Sequence, residues 1–396
     1  MTKNAPVLTL EDKKWRYERI RNLMKEKGLD AIVLGGNGGG TNSKVRYITG
    51  PYFKGASASM YVIFPLEGEP MPFAFRESRP YNMQNVRAHI DEYWFSTVRY
   101  AKVDEMVDFL NGVEKKNKKI GIDFTTINYN ICNGIVKAYP DIEFVEFGEE
   151  IVHLMRVSSQ NEIAHCREAT RICDLVWDRM RTFLKPGLYE HEITAEWSKI
   201  MIENRCDITF NLVQTDRLDV SRFWFPDTRA PRKVEEGHML MMEITAAYDG
   251  YWGQRVGCAS MGKPDPILLK LNVAIEDARN EGAKMIMPGV STYDVAKKID
   301  DVINSHGFLN QNEFKTAPQG HIINLTLDCG TFWTRRKEDA FLLEENMVVQ
   351  LHPAAAVKDF DIWKAGMFNG GIMYVLEKDG LKSLHSKPYE QLMIIE

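Results

Sequence analysis

The chain predicts a two-part α/β protein: a small amino-terminal α/β domain, residues 1–154, followed by a larger α+β domain, residues 155–396. Three observations predict it. A length of 396 residues exceeds what one ordinary core organises. The first part alternates helical periodicity with short apolar runs. Beyond it the pattern changes to long helices separated by strand pairs, and one unit of that pattern occurs twice.

In order, residues 11–27 place Trp15, Ile20, Leu23 and Met24 at helical spacing, and Gly28 supplies a stop. Asp30-Ala-Ile-Val-Leu is a buried-strand run, and Arg46-Tyr-Ile-Thr-Gly and Met60-Tyr-Val-Ile-Phe read as further strands. A helix near 103–113 precedes the strand Lys119-Ile-Gly-Ile-Asp, and another near 129–138 precedes Ile142-Glu-Phe-Val-Glu-Phe. That order predicts a mixed sheet covered by helices. The loop Gly35-Gly-Asn-Gly-Gly-Gly40 lacks the spacing and lysine of a nucleotide fingerprint, so it reads as surface loop.

In the second part, helices over 161–184 and 268–286 each lead to a Pro-Gly turn and another helix, ending near Asn204 and Ser305. Pro186 matches Pro288, Gly187 matches Gly289, Glu192 matches Asp294 and Ile193 matches Val295, all at one offset of 102. A run of matches at one offset predicts two halves related by a pseudo-twofold, facing across a cleft suited to a small ligand.

Composition excludes several classes. Apolar content of 44% and charged content of 27% describe a globular chain, and a net charge of −5 gives no reason to expect nucleic acid as a partner. No apolar run reaches the roughly eighteen residues of a membrane span. The segment Met1–Lys14 lacks a signal-peptide core, and six scattered cysteines without a Cys-x-x-Cys pair read as reduced thiols. The expectation is a cytoplasmic protein with no membrane or nucleic-acid partner.

The most informative stretch runs from Met241 to Gln254. Its Asp249-Gly250 is a strong hairpin-turn signal. If Tyr248 pairs with Tyr251, Thr245 pairs with Gln254, and strand alternation sets Glu243 on the same face as Gln254. A carboxylate among apolar strand residues is costly unless paired, which favours a raised pKa and a general-base role. Two aromatic groups, Phe223-Trp224-Phe225 and Tyr248, Tyr251 and Trp252, read as core or as pocket walls. Downstream, Pro318-Gln-Gly-His leads to His321 and Asp328, Leu343-Glu-Glu-Asn-Met-Val-Val-Gln-Leu carries His352 near its end, and a strand from Gly370 ends in a polar Asp-Gly turn. Arg335, in the run Arg335-Arg336-Lys337, reads either as a clamp for a substrate carboxylate or as a solvated charge run.

These motifs, in this order over roughly 155–396, resemble the pita-bread family that includes creatinase, aminopeptidase P and methionine aminopeptidase. The resemblance extends forward through Arg46-Tyr-Ile-Thr-Gly and implies a creatinase-like amino-terminal domain and a pita-bread catalytic domain. It also implies that the five ligands holding two metal ions in the peptidases fall on Glu243, Gln254, His321, His352 and Gly371. Only His321 keeps the expected type, so no metal cofactor is expected. Creatinase resembles a metal-free branch that hydrolyses a C–N bond. Its catalytic histidine falls near Pro226 and its paired glutamates on Gln254 and His352, whereas Met-Glu-Ile-Thr-Ala-Ala-Tyr is closer to ectoine hydrolases.

The expectation is therefore a homodimeric, metal-independent hydrolase cleaving a C–N bond of a small non-peptide metabolite. Glu243 activates water, His321 or His352 donates a proton to the leaving nitrogen, and Gln254, Asp328, Trp252, Tyr248 and Arg335 bind substrate. One alternative is a mononuclear iron or zinc enzyme using Glu243, His321 and His352, resembling the family's sulfonium lyases. Another is a catalytically silent binding protein.

Overall fold

Local chemistry sets element boundaries from the first helix onward in the computed structural model. Leu10–Lys27 begins at Thr9, whose hydroxyl accepts from the Asp12 N–H while the Asp12 carboxylate accepts from the Thr9 N–H at 2.7 Å. It ends at Gly28, whose φ of 66° only glycine adopts at little cost. The structure describes residues 6–36, 43–50, 60–74, 94–95, 97–217, 232–310, 313, 318–358 and 367–396. The chain divides into two units, Met1–Met155 and Arg156–Glu396.

Among the described residues the first unit carries six strands: β1 (Ala31–Gly36), β2 (Met60–Pro65), β3 (Met71–Ala74), β4 (Arg99–Tyr100), β5 (Lys119–Ile122) and β6 (Glu143–Glu146). Their order is β4-β3-β2-β1-β5-β6, with β1 antiparallel to β2 and parallel to β5, so the sheet is mixed. Helices Val103–Asn111 and Tyr129–Ala138 contribute Met106, Leu110 and Ile135 to its core.

One expected strand is a helix. Arg46-Tyr-Ile-Thr lies in Ser43–Thr49, where the Gly50 N–H donates to the Arg46 carbonyl at 2.9 Å. The first helix satisfies its free carbonyls: Arg16 donates to Tyr47 O at 3.0 Å and the Tyr17 hydroxyl to Ile48 O at 2.9 Å. Tertiary partners override the strand preference of these β-branched and aromatic residues.

The second unit contains the repeat. Helices Gln160–Phe183 and Glu190–Glu203 precede β7 (Ile208–Asp216), β8 (Met239–Tyr248) and β9 (Tyr251–Met261). Helices Pro266–Met285 and Thr292–Ser305 precede β10 (Leu309–Asn310), β11 (Gly320–Ile322), β12 (Gly330–Thr331), β13 (Val348–Leu351), β14 (Ala354–Ala356), β15 (Met367–Asn369), β16 (Ile372–Glu377) and β17 (Gly380–Ser383). The chain closes with β18 (Leu392–Ile395) beside β9. Glu190–Glu203 and Thr292–Ser305 start and end 102 residues apart (292 − 190 and 305 − 203). The preceding Pro-Gly turns share a left-handed glycine, with φ of 101° at Gly187 and 88° at Gly289. The helix–Pro-Gly–helix repeat is thus present in backbone as well as in sequence.

Helix Gln160–Phe183 packs Ile172, Val176 and Trp177 against Leu240, Met242, Ile244, Ala246 and Tyr248 of β8. Alternation along the strand turns Met241, Glu243 and Thr245 to the other face. All six cysteines are free thiols, and no described helix is long and apolar enough to cross a membrane.

Candidate active site

The β8–β9 hairpin turns at Asp249 and Gly250, with φ of 47° and 81°, the left-handed pair of a type I′ turn. Tyr248 pairs with Tyr251 and Thr245 with Gln254. On one face the Gln254 amide donates to Glu243 Oε1 at 2.9 Å and to Thr245 Oγ1 at 3.1 Å. Burial pushes the Glu243 carboxyl up to about 7, outweighing the amide hydrogen bond that favours its ionised form. It is nevertheless half-buried, so part of its surface stays accessible.

The opposite face of β9 is braced. Arg255 donates to Asp174 at 2.7 Å and stacks on Trp177 and Tyr389. Asp174 also accepts from Ser386 and pairs with His385 Nδ1 at 2.7 Å, which holds its carboxyl down at about 2 although burial opposes this. His385 Nε2 accepts from the Met373 N–H, so its proton lies on Nδ1. This network fixes β9, and through it the side on which Gln254 projects.

His321 and His352 come from the second half of the repeat. β11 pairs with β13, placing His321 opposite Gln350, and His352 follows two residues later on the same side. Their rings meet edge to face with centroids 5.0 Å apart. Burial lowers His321 to about 4 and His352 to about 3, the latter also by its proximity to His321. Both imidazoles are therefore neutral at pH 7.

Three backbone hydrogen bonds, at two places, bring these segments against the hairpin. The Trp252 N–H donates to Asn324 O at 2.9 Å, three residues beyond His321. Val256 and Gly371 exchange backbone hydrogen bonds of 3.3 and 3.0 Å. Gln254 lies between these anchors. Several buried polar atoms here have no hydrogen-bond partner among the described residues: Gln254 Oε1, His321 Nδ1, His352 Nδ1 and both amide atoms of Gln350. Each such group costs about 1–3 kcal/mol, a penalty that bound substrate or water removes. These atoms make the face a candidate ligand site.

The other expected residues fall unevenly. Trp252 is buried on the Gln254 side of β9, opposite Ala247. Asp328 sits in the turn after β11, where its carboxylate accepts the Gly330 N–H at 2.8 Å, and its charge couples to His352. Tyr248 requires correction as a pocket wall: five residues from Glu243, it faces the helix side and packs in the core. Arg335 is exposed and stacks on Trp333 at 4.1 Å. Phe223, Trp224, Phe225 and Pro226 lie outside the described residues. The residue that sequence reasoning missed is Gln350. Its signal was a lone polar side chain in an apolar strand, two positions before His352 and so on the same face.

A pair of metal ions does not fit these residues. Two cations need bridging anionic oxygens, yet Gln254 turns an N–H donor, not an oxygen, onto the one carboxylate. At Gly371 an added Cβ would stand 2.4 Å from His352 Cβ and 2.6 Å from Gln350 Nε2, so a liganding side chain has no room. Among the described residues no group of three or more His, Cys, Asp or Glu is placed to hold a metal ion.

Comparison with known proteins places this geometry in context. Residues 164–380 match metallopeptidase family M24, and residues 16–157 match the creatinase/prolidase N-terminal domain. An uncharacterized peptidase of Bacillus subtilis is 24% identical over 387 residues, 96% of this chain and 100% of its own. The ectoine hydrolase of Halomonas elongata is 20% identical over 375 residues, 89% of this chain and 92% of its own. The crystal structure of an X-Pro aminopeptidase from Thermotoga maritima superposes with a TM-score of 0.77 at 20% identity, covering 96% of this chain and 99% of that one.

Proposed function

The chain belongs to metallopeptidase family M24, and from that premise we propose a metal-independent hydrolase that cleaves a C–N bond of a small non-peptide metabolite. One observation carries the reading: the buried Glu243 carboxyl, poised at about 7, is met by the neutral Gln254 amide, and His321 and His352 are neutral too, where a metallopeptidase needs several anionic donors.

Ionised Glu243 takes a proton from a water molecule, whose oxygen bonds to the carbon of the C–N bond. The carboxyl, protonated at half occupancy near neutrality, then returns that proton to the nitrogen as the C–N bond breaks. A pKa near 7 suits both halves of this cycle. His321 and His352 are neutral at pH 7, so neither acts as an imidazolium acid; they orient water and substrate through hydrogen bonds. This amends the expectation that a histidine supplies the proton. Gln254 fixes the Glu243 carboxylate, and Trp252 and Asp328 border the substrate.

A second reading keeps one metal ion. Neutral imidazoles are the ligating form, and Glu243, His321 and His352 would supply two histidines and one carboxylate if an ion drew them together, although they are not grouped to hold one as they stand. The experiment that tests the first reading is a turnover screen of small amides, ureides and amidines with the parent protein and Glu243→Gln. Turnover lost in the variant supports the general base, whereas turnover by the variant at the parental rate defeats it.

A further inference from the structure

Gln350 is fully buried on β13, between His321 on β11 and Met373 on β16. Neither end of its carboxamide has a hydrogen-bond partner among the described residues. Its nitrogen lies 2.6 Å from where a Cβ of residue 371 would stand, so glycine at that position is what leaves room for the amide. Gly371 in turn bonds to β9 at Val256, two residues from Gln254. The carboxamide therefore shares its sheet face with His321 and His352, whose Nδ1 atoms are also unpartnered, and Gly371 links it to the strand that carries the unpartnered Gln254 Oε1.

A packing role does not require this residue, since leucine or methionine fills a strand interior without stranding a donor and an acceptor. The charge pattern narrows what the amide reads. On the faces of β8, β9, β11 and β13 that carry Glu243, Gln254, His321 and His352, the described residues include no lysine or arginine. A carboxylate placed there would meet Glu243 with no cation to offset it. A planar group with an N–H donor beside a C=O or C=N acceptor would satisfy both ends of Gln350 at once.

We propose that Gln350 is a specificity-determining residue of this site, selecting a uncharged or cationic urea-, carboxamide- or amidine-type group and rejecting carboxylates. The inference rests on the hydrolase reading for where substrate binds, but its test needs no turnover. The probes are N-methylurea, acetamidine and acetate, titrated by ligand-observed NMR against the parent, Gln350→Met and Gln350→Glu proteins. The parent is expected to bind methylurea and acetamidine and not acetate. Loss of two buried hydrogen bonds in Q350M weakens methylurea by at least about tenfold. In Q350E the added negative charge shifts preference from methylurea to acetamidine. Methylurea binding equally to parent and Q350M, acetate competing with it on the parent, or neither methylurea nor acetamidine binding the parent would overturn the inference. Should Q350M fail to fold, the preference reversal in Q350E decides alone. A parent that binds methylurea through Gln350 yet hydrolyses nothing sinks the hydrolase reading and spares this one.

Discussion

Glu243 owes its chemistry to its neighbours. A carboxyl with an ordinary value near 4.5 is a weak base at pH 7, and burial lifts Glu243 to about 7, the value that suits the proposed acceptance and return of a proton. Because the ionised form is the base, kcat/KM should fall about tenfold per unit below pH 7 and level off above it. The neutral histidines, at about 4 and 3, add no second limb near neutrality. A profile flat from pH 5 to 8 would contradict the assignment. Glu243→Gln keeps size and shape but removes the base, so turnover should drop by about 10²–10⁴-fold. Circular dichroism should show an unchanged fold, because the variant removes only a carboxyl that burial already disfavours.

At the scale of elements, the hairpin is held against helix Gln160–Phe183 by close backbone approach. A Cβ on Gly253 would stand 2.3 Å from Thr170 N and 2.5 Å from the Ala169 carbonyl carbon, both backbone atoms that cannot swing aside. Gly253→Ala should cost about 1–3 kcal/mol. In a unit of this size that lowers the melting temperature by roughly 2–4 °C per kcal/mol. A scanning-calorimetry midpoint identical to the parent would show that the contact is looser than drawn. Much of this element was legible in sequence. Asp249-Gly250 gives the turn, the turn gives the register, and the register puts Glu243 beside Gln254. Tyr248 was misplaced although the same alternation excludes it from that face. Arg46-Tyr-Ile-Thr read as strand because local propensity carries no trace of Arg16 and Tyr17, its distant partners. Gln350 escaped notice because its importance depends on the space over Gly371, a long-range fact.

For the whole molecule, the duplicated unit explains how the candidate site is assembled. The first half supplies the hairpin with Glu243 and Gln254, the second supplies His321, Gln350 and His352, and the Val256–Gly371 hydrogen bonds join them. The helix offset of 102 was visible in the two Pro-Gly runs, whereas the joining contact, 115 residues apart in sequence (371 − 256), was not. Homodimerism, implied by the likeness to creatinase, predicts a light-scattering mass of twice 45.5 kDa; a mass of 45.5 kDa would contradict it. The resemblance puts Gln254, His352 and Gly371 where the family's metallopeptidases carry acidic ligands, which makes metal content the most direct test. Elemental analysis of the purified protein, after exposure to manganese, iron and zinc and then desalting, should find well under one metal ion per chain. Two retained ions per chain, lost on replacing Glu243 with alanine, would contradict the account.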